Sequence, residues 1–360
     1  MKSVIKSAFR LMLSGSVVLM SGCHSIGPST VARDRFDYSE GIADSWKRQT
    51  LLNIVKLRYD DPPIFVDVGQ IVAGYTLETD GSVGGSIQSM SGTNGVTLGG
   101  AVTYIDRPTI TYTPLTGSKF IHTIVTPIPP ESLFSAIQAG FPADAIMLAG
   151  VASLNGLKNE QRAGEGTAAG EDKFLRAIEL MRKIQLADAM GVHVQVDAAK
   201  NETTVLTFHT QNISPETQQD ITELHQVLKL APDAEDIKLV FGGMPGDDHE
   251  LAVVTRSMMH IMSSMAAQVD VPPADQAAGR VNPGWGDGGP GSNRPRLIHI
   301  YSAEQEPKDA FVEIYYHKHW FWISDEDLKS KHTFSLIMLL FTLGDNSVPQ
   351  SPPVLTIPTQ

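Results

Sequence analysis

The sequence predicts an α+β chain with mixed and antiparallel sheets, packed helices and one glycine-rich β-hairpin arm. Three observations carry that expectation. Segments with apolar residues at helical spacing occur near both ends and in the middle of the chain. Short β-branched runs come in pairs around turn residues. Helices and strands alternate irregularly, which argues against a doubly wound parallel sheet. No period of 20–50 residues recurs, so neither a solenoid nor a propeller is expected. At 360 residues, 42% of them apolar, the chain suffices for one large domain or two ordinary ones.

The first residues carry Lys2, Lys6 and Arg10 and no acid, followed by an apolar stretch from Leu11 to Met20. This is the pattern of a secretory signal, too short to span a bilayer. Met20-Ser21-Gly22-Cys23 closes the run and holds the only cysteine of the chain. It resembles the bacterial lipobox, with Met20 in place of the usual leucine. The resemblance implies a signal peptide over 1–22, a tether over 23–35, and a covalent lipid on Cys23 as the only prosthetic group. An acylated Cys23 leaves no thiol for a disulfide or for catalysis. His24 stands where an aspartate would mark the inner membrane, so similarity to enterobacterial sorting rules implies the periplasmic face of the outer membrane. The chain carries a net charge of −12, and losing the three cations of the leader takes it to about −15. So acidic a chain argues against nucleic acid and against adhesion to anionic headgroups. The bilayer is expected to be reached through Cys23 alone.

An N-terminal α+β region is expected over 36–158. A helix spans Tyr38 to Tyr59, with Ile42, Trp46, Leu51, Ile54 and Val55 on its apolar face, and Asp60-Asp61-Pro62-Pro63 stops it. A strand follows from Ile64 to Leu77. Glycines then punctuate 80–112, where Asn94-Gly95 signals a hairpin. Val83 and Ile87 alternate with small polar residues on one strand, and Val96, Leu98, Val102 and Tyr104 do so on the other. Strands of this length approach the roughly 9–11 residues that cross a membrane as part of a barrel. A soluble arm contacting a partner is the plainer reading. Arg107 to Tyr112 reads as a further strand, and 118–157 as short helices separated by prolines and glycines.

A C-terminal α+β region is expected over 171–360. Helices are read at 171–190 and from Pro215 to Leu230 behind the cap Ser214. Strands are read at 192–197, 203–209 and 237–241, and 251–268 as strand turning into helix. A Pro/Gly-rich insert at 271–294 is expected to be disordered. Strands follow at 296–302 and 310–323. A buried helix comes after Ser324-Asp325-Glu326-Asp327, and an edge strand at 352–357.

No G-x-S-x-G, H-E-x-x-H or Walker loop occurs, which lowers the expectation of an enzyme without excluding one. Three constellations bear on metals. Met258, Met262 and Met265 with His260 would suit Cu(I), but methionine also fills irregular cores, the favoured reading. His317 and His319, two apart on a strand, would share a face. Asp247-Asp248-His249-Glu250 offers oxygen ligands without EF-hand spacing and reads as a solvated turn.

Three blocks, RDRFDYSEGIADSWKRQTLLNIVKLRYDDPPIFVDVGQI (33–71), RPTITYTPLTGSKF with TPIPPESLFSAIQAGFP (within 107–142) and WFWISDEDLKSKHTFSLIMLLFTL (320–343), resemble an uncharacterised family of predicted proteobacterial lipoproteins and exported proteins. That resemblance implies the compartment and brings no activity. The expected function is a non-enzymatic scaffold or assembly component of an envelope complex, with an envelope protein or a second copy as partner. The alternatives are an oligomeric outer-membrane pore or secretion component using 82–105, and a lipid-anchored hydrolase drawing on His122 and His299. Replacing Cys23 by alanine is expected to release the protein from the membrane fraction and to abolish its labelling by palmitate. Continued membrane retention would contradict the lipid anchor.

Overall fold

The computed structural model describes residues 27–72, 75–86, 95–159, 169–196, 202–282, 284 and 296–344. The fold is α+β. Among the described residues four sheets form, and every strand pairing but one is antiparallel. The leader, Cys23, Ile87, the turn at 91–94, most of the insert beyond Asn282 and the strand expected at 352–357 lie outside the described residues. The chain divides into two units, Met1–Ser45 with Val66–Pro114, and Trp46–Phe65 with Leu115–Gln360.

The first unit holds the beginning of helix α1 (Gly27–Arg58) and two ribbons. The helix starts well before Tyr38, so the segment expected to be a tether is helical from Gly27. Pro28 is tolerated there because the first turn lacks partners for its amides in any case. Strand β1 (Val66–Val72) pairs with β4 (Thr109–Pro114), and β2 (Tyr75–Ser86) pairs with β3 (Gly95–Asp106). The single strand expected over 64–77 is therefore two. The hairpin spans 75–106 instead of 80–112, because Pro108 has no amide to continue a ladder beyond Asp106. Register slips between Val68 and Gln70. Gly69 sits at that bulge, where a Cβ would meet Thr113 Oγ1 at 3.2 Å.

The second unit begins with the last turns of α1, where Leu51, Ile54 and Val55 are fully buried. The Asn53 side chain closes the following turn, donating to Ile64 O (2.8 Å) and accepting from Ile64 N (2.9 Å). A short helix α2 (Gly117–Phe120) runs into a π-helical turn, Ile121–Val125; α3 (Pro130–Gln138) and α4 (Ala143–Gly150) follow. The stretch expected to be wholly helical to 157 ends in strands β5 (Val151–Leu154) and β6 (Leu157–Lys158). Asn155 (φ 44°) and Gly156 (φ 79°) supply the two positive angles that a tight hairpin requires.

Next come α5 (Ala169–Leu186), β7 (Met190–Val196), β8 (Glu202–Phe208), α6 (Pro215–Leu228), β9 (Asp236–Phe241) and β10 (Glu250–Thr255). They build a six-stranded sheet of order β6-β5-β10-β9-β8-β7, with β9 and β10 parallel. Ser214 caps α6 as expected, accepting from Thr217 N at 3.1 Å. Phe174, Met181 and Ile184 of α5, Leu224 of α6, and Leu206, Phe208 and Ile237 of the sheet share one buried apolar cluster.

Arg256 follows β10, 3% exposed and without a carboxylate among its partners. It donates to Leu148 O (3.1 Å), Ala149 O (3.3 Å) and Asn159 O (2.6 Å). The carbonyl end of α4 thus compensates the guanidinium. Burial pushes its pKa down to about 10, so it stays charged at neutral pH.

Helix α7 (Met258–Ala266) precedes α8 (Pro273–Ala277), then β11 (Tyr301–Ala303), β12 (Ala310–Tyr316), β13 (His319–Ser324) and α9 (Leu328–Gly344). β13 lies between β11 and β12 in a three-stranded sheet. The strand expected over 310–323 is thus a hairpin, turned at His317 (φ 46°) and Lys318 (φ 66°). Strand structure over 296–302 is confined to its last two residues. Asp327 caps α9, accepting from Ser330 N at 3.0 Å.

The start of the insert expected to be disordered is ordered as far as Asn282, because polar side chains hold it. Asp275 is buried, accepting from Tyr59 Oη and Arg280 Nη1, both at 2.8 Å. Burial alone would raise its pKa, but these two donors outweigh it and hold the carboxyl below its ordinary value. Tyr59 stacks on His317, rings 4.8 Å apart, and Tyr316 donates to Asp61. The Asn282 amide donates to Arg58 O at 2.9 Å.

His225 of α6 is buried edge-on against Phe208, ring centroids 5.1 Å apart. Burial lowers its pKa, opposed in part by the backbone of Ala231 and Pro232. The unfolded chain therefore takes up this proton first. The contribution of the neutral ring is complete above about pH 6.5 and lost as pH falls below it, by at most about 1.4 kcal/mol per pH unit. Urea unfolding at pH 7.5 and 5.5 is expected to show a smaller acid-dependent loss in His225→Leu than in the native protein. Identical losses would remove His225 from the account.

Candidate interaction surfaces

The first unit presents regular secondary structure, a helix and two ribbons. Among its described side chains none is buried. Every residue of β4 is exposed, and so are Phe36 (74%) and Tyr112 (62%). A two-stranded ribbon is marginal in water unless a third strand or a helix covers it. Among the described residues neither ribbon pairs with a third strand, and a sheet edge is a template for further strands.

Strands β2 and β3 pair over twelve residues each. The register sets Val83 opposite Leu98, Gly85 opposite Val96, Thr79 opposite Val102 and Leu77 opposite Tyr104. These positions differ by even steps and fall in one row. Val83, Val96, Leu98, Val102 and Tyr104 are thereby brought together, with Leu77 added from a segment assigned on sequence to the preceding strand. Ile87 lies outside the described residues. The alternate row holds Glu78, Asp80, Ser82, Thr97, Gly99 and Thr103 among others.

The second unit contains a groove of about 660 Å³ between α3 and the outer strands β7–β9. Its floor includes Val194, Leu239 and Phe241, and its rim Glu131, Gln138 and Glu202. Val194 is 56% exposed and Phe241 65%. The Val192 amide donates to Gln138 Oε1 at 2.9 Å. Lys238 lies 3.6 Å from Glu250, and His193 Nδ1 is 3.1 Å from Thr207 Oγ1. Sequence reading missed this site. The alternating Val192, Val194 and Val196 indicated a strand, but nothing local says that it ends a sheet.

The metal constellations resolve differently. Met258, Met262 and Met265 are fully buried in the apolar cluster while His260 is exposed, so thioethers and imidazole do not converge. His317 lies in the turn, not on a strand beside His319. Asp247, Asp248 and His249 bring ligand atoms within 4.8 Å of one another, all three exposed. They bond internally, Asp247 Oδ1 accepting from His249 N and Asp248 Oδ1 lying 2.9 Å from His249 Nδ1.

Of the two histidines considered for hydrolysis, His122 lies in the π-helical turn, and His299 Nε2 sits 2.6 Å from Asp270 Oδ2. Ser330 is close in the bonding network but does not bond that imidazole. Its Oγ accepts from His299 N (2.8 Å) and donates to Asp327 Oδ2 (2.6 Å). Burial would raise the Asp327 pKa, yet the Ser330 bonds outweigh it and hold the carboxyl low. The group fastens the start of α9 to the segment before β11; it is not a paired nucleophile and base.

Among the described residues no helix is long and apolar enough to cross a membrane. Comparison with known protein families, with curated proteins and with solved structures finds no match.

Proposed function

We propose that this chain is a non-enzymatic lipoprotein, anchored through an acylated Cys23 at the periplasmic face of the outer membrane, that serves as a scaffold or assembly component of an envelope complex. One observation carries the reading: the first unit combines a helix and two ribbons with no buried side chain among those described. A fully buried large apolar side chain contributes about 1.5–3 kcal/mol, and none of this unit's described side chains is one. Cover from another protein would supply that missing burial. The partner is an envelope protein or a further copy of the chain. The acid-rich composition speaks against nucleic acid in that place.

A second reading, an oligomeric pore or secretion component, is supported by the hairpin alone. Twelve residues per strand exceed the roughly 9–11 that cross a bilayer. The row shared by Val83, Val96, Leu98, Val102 and Tyr104 would face lipid only in a closed ring of hairpins.

Extraction in mild detergent followed by native sizing is expected to give a species larger than one chain. A photo-crosslinker at Tyr112 is expected to capture a neighbour, and deleting 75–106 to reduce the size. A monomer that captures nothing would overturn the assembly reading. For the pore, reconstituted protein is expected to conduct ions and to stop when 82–105 is deleted. Unchanged conductance would dismiss it.

A further inference from the structure

We propose that the groove between α3 and β7 receives an extended basic peptide segment of another protein, which pairs with β7 as a seventh strand of the large sheet. The groove lies wholly in the second unit, so the inference does not rest on the assembly reading.

Among the described residues β7 ends the sheet and pairs with β8 alone. The Val192 amide reaches Gln138 on the side away from β8. Backbone groups alternate along an antiparallel strand, so the amides of Val194 and Val196 point the same way, into the open edge. Protein edges are usually blunted by lysine, proline, inward charges or a bulge. Met190-Gly191-Val192-His193-Val194-Gln195-Val196 carries none of these residues, and its ladder with β8 runs without a register shift. Gln138 satisfies one position and leaves the next two available to a main chain.

The floor and rim then define what kind of chain fits. Alternate side chains of an added strand would project onto one face of the sheet. There they stand beside Val192 and Val194 of β7, both in the groove lining, which asks for apolar residues at every second position. The rim carries the exposed carboxylates of Glu131 and Glu202, while the one lysine of the lining lies against Glu250. Lysine or arginine at the ends of the segment complements those acids. Pairing of two β7 edges would instead set the acids of both copies together in a chain of net charge −12, which is disfavoured.

The probe is a nine-residue peptide of alternating valine and threonine flanked by lysines, added to the mature chain. Two controls accompany it: one flanked by glutamates, and one N-methylated at alternate amides. The lysine peptide is expected to bind with a dissociation constant on the order of micromolar and to slow hydrogen exchange at Val194 and Val196. The glutamate peptide is expected to bind roughly tenfold more weakly, and the double variant Glu131→Lys with Glu202→Lys to reverse that order. The N-methylated peptide is expected not to bind. Equal affinity for the two charges, full binding after N-methylation, or unchanged exchange at Val194 and Val196 would each overturn the proposal. Concentration-dependent dimerisation through β7 without peptide binding would overturn it in favour of self-pairing.

Discussion

Removal of one face from water is what lets a helix or a strand persist, and the two units of this chain meet that constraint unequally. In the second unit Phe174, Met181 and Ile184 of α5, Leu224 of α6, and Leu206 and Phe208 of β8 belong to one dry cluster. Each such side chain adds a few kcal/mol against the entropy of ordering the backbone. The six-stranded sheet and its helices hold each other by that exchange. In the first unit β4 is exposed at every residue, and no described side chain is buried. Among the described residues those elements have secondary structure without the burial that secures it.

Polar groups refine the second unit. Arg256 lies buried with main-chain carbonyls from the end of α4 and Asn159 as its partners. That arrangement fixes the junction of α4, β5 and β10 through directional bonds. Asp275 joins Tyr59 at the end of α1 to the segment following α7, ordering residues whose composition alone reads as loop. The network around His299, Asp270, Ser330 and Asp327 has the residue types of a hydrolytic site but bonds them in another order. Those bonds fasten the start of α9 to the segment before β11.

Much of the fold was legible because local signals and burial agree. Ser214 ahead of Pro215 announces α6 and then caps it. The apolar spacing from Phe174 to Ile184 announces α5, and those residues are its buried face. Misreadings arose where a short polar turn hid inside an apolar or charged run. Asn155-Gly156 folds β5 back on β6, and His317-Lys318 turns the supposed single strand at 310–323 into a hairpin. Pro108 separates β3 from β4, and β4 finds its partner in β1, about forty residues earlier. That pairing is a long-range choice invisible to local pattern. The groove beside β7 was illegible for the same reason, since an edge is a property of strand order. The row of Val83, Val96, Leu98, Val102 and Tyr104 was legible from alternation alone.

Hydrogen exchange, compared between the purified single chain and the protein extracted with its native neighbours, tests the central claim most directly. In the single chain, amides of β1 to β4 are expected to exchange quickly while those of β8, β9 and β10 stay protected. In the native extract the first set is expected to become protected as well. Equal and strong protection of β1 to β4 in the single chain would show that the first unit needs no partner, and would contradict the account.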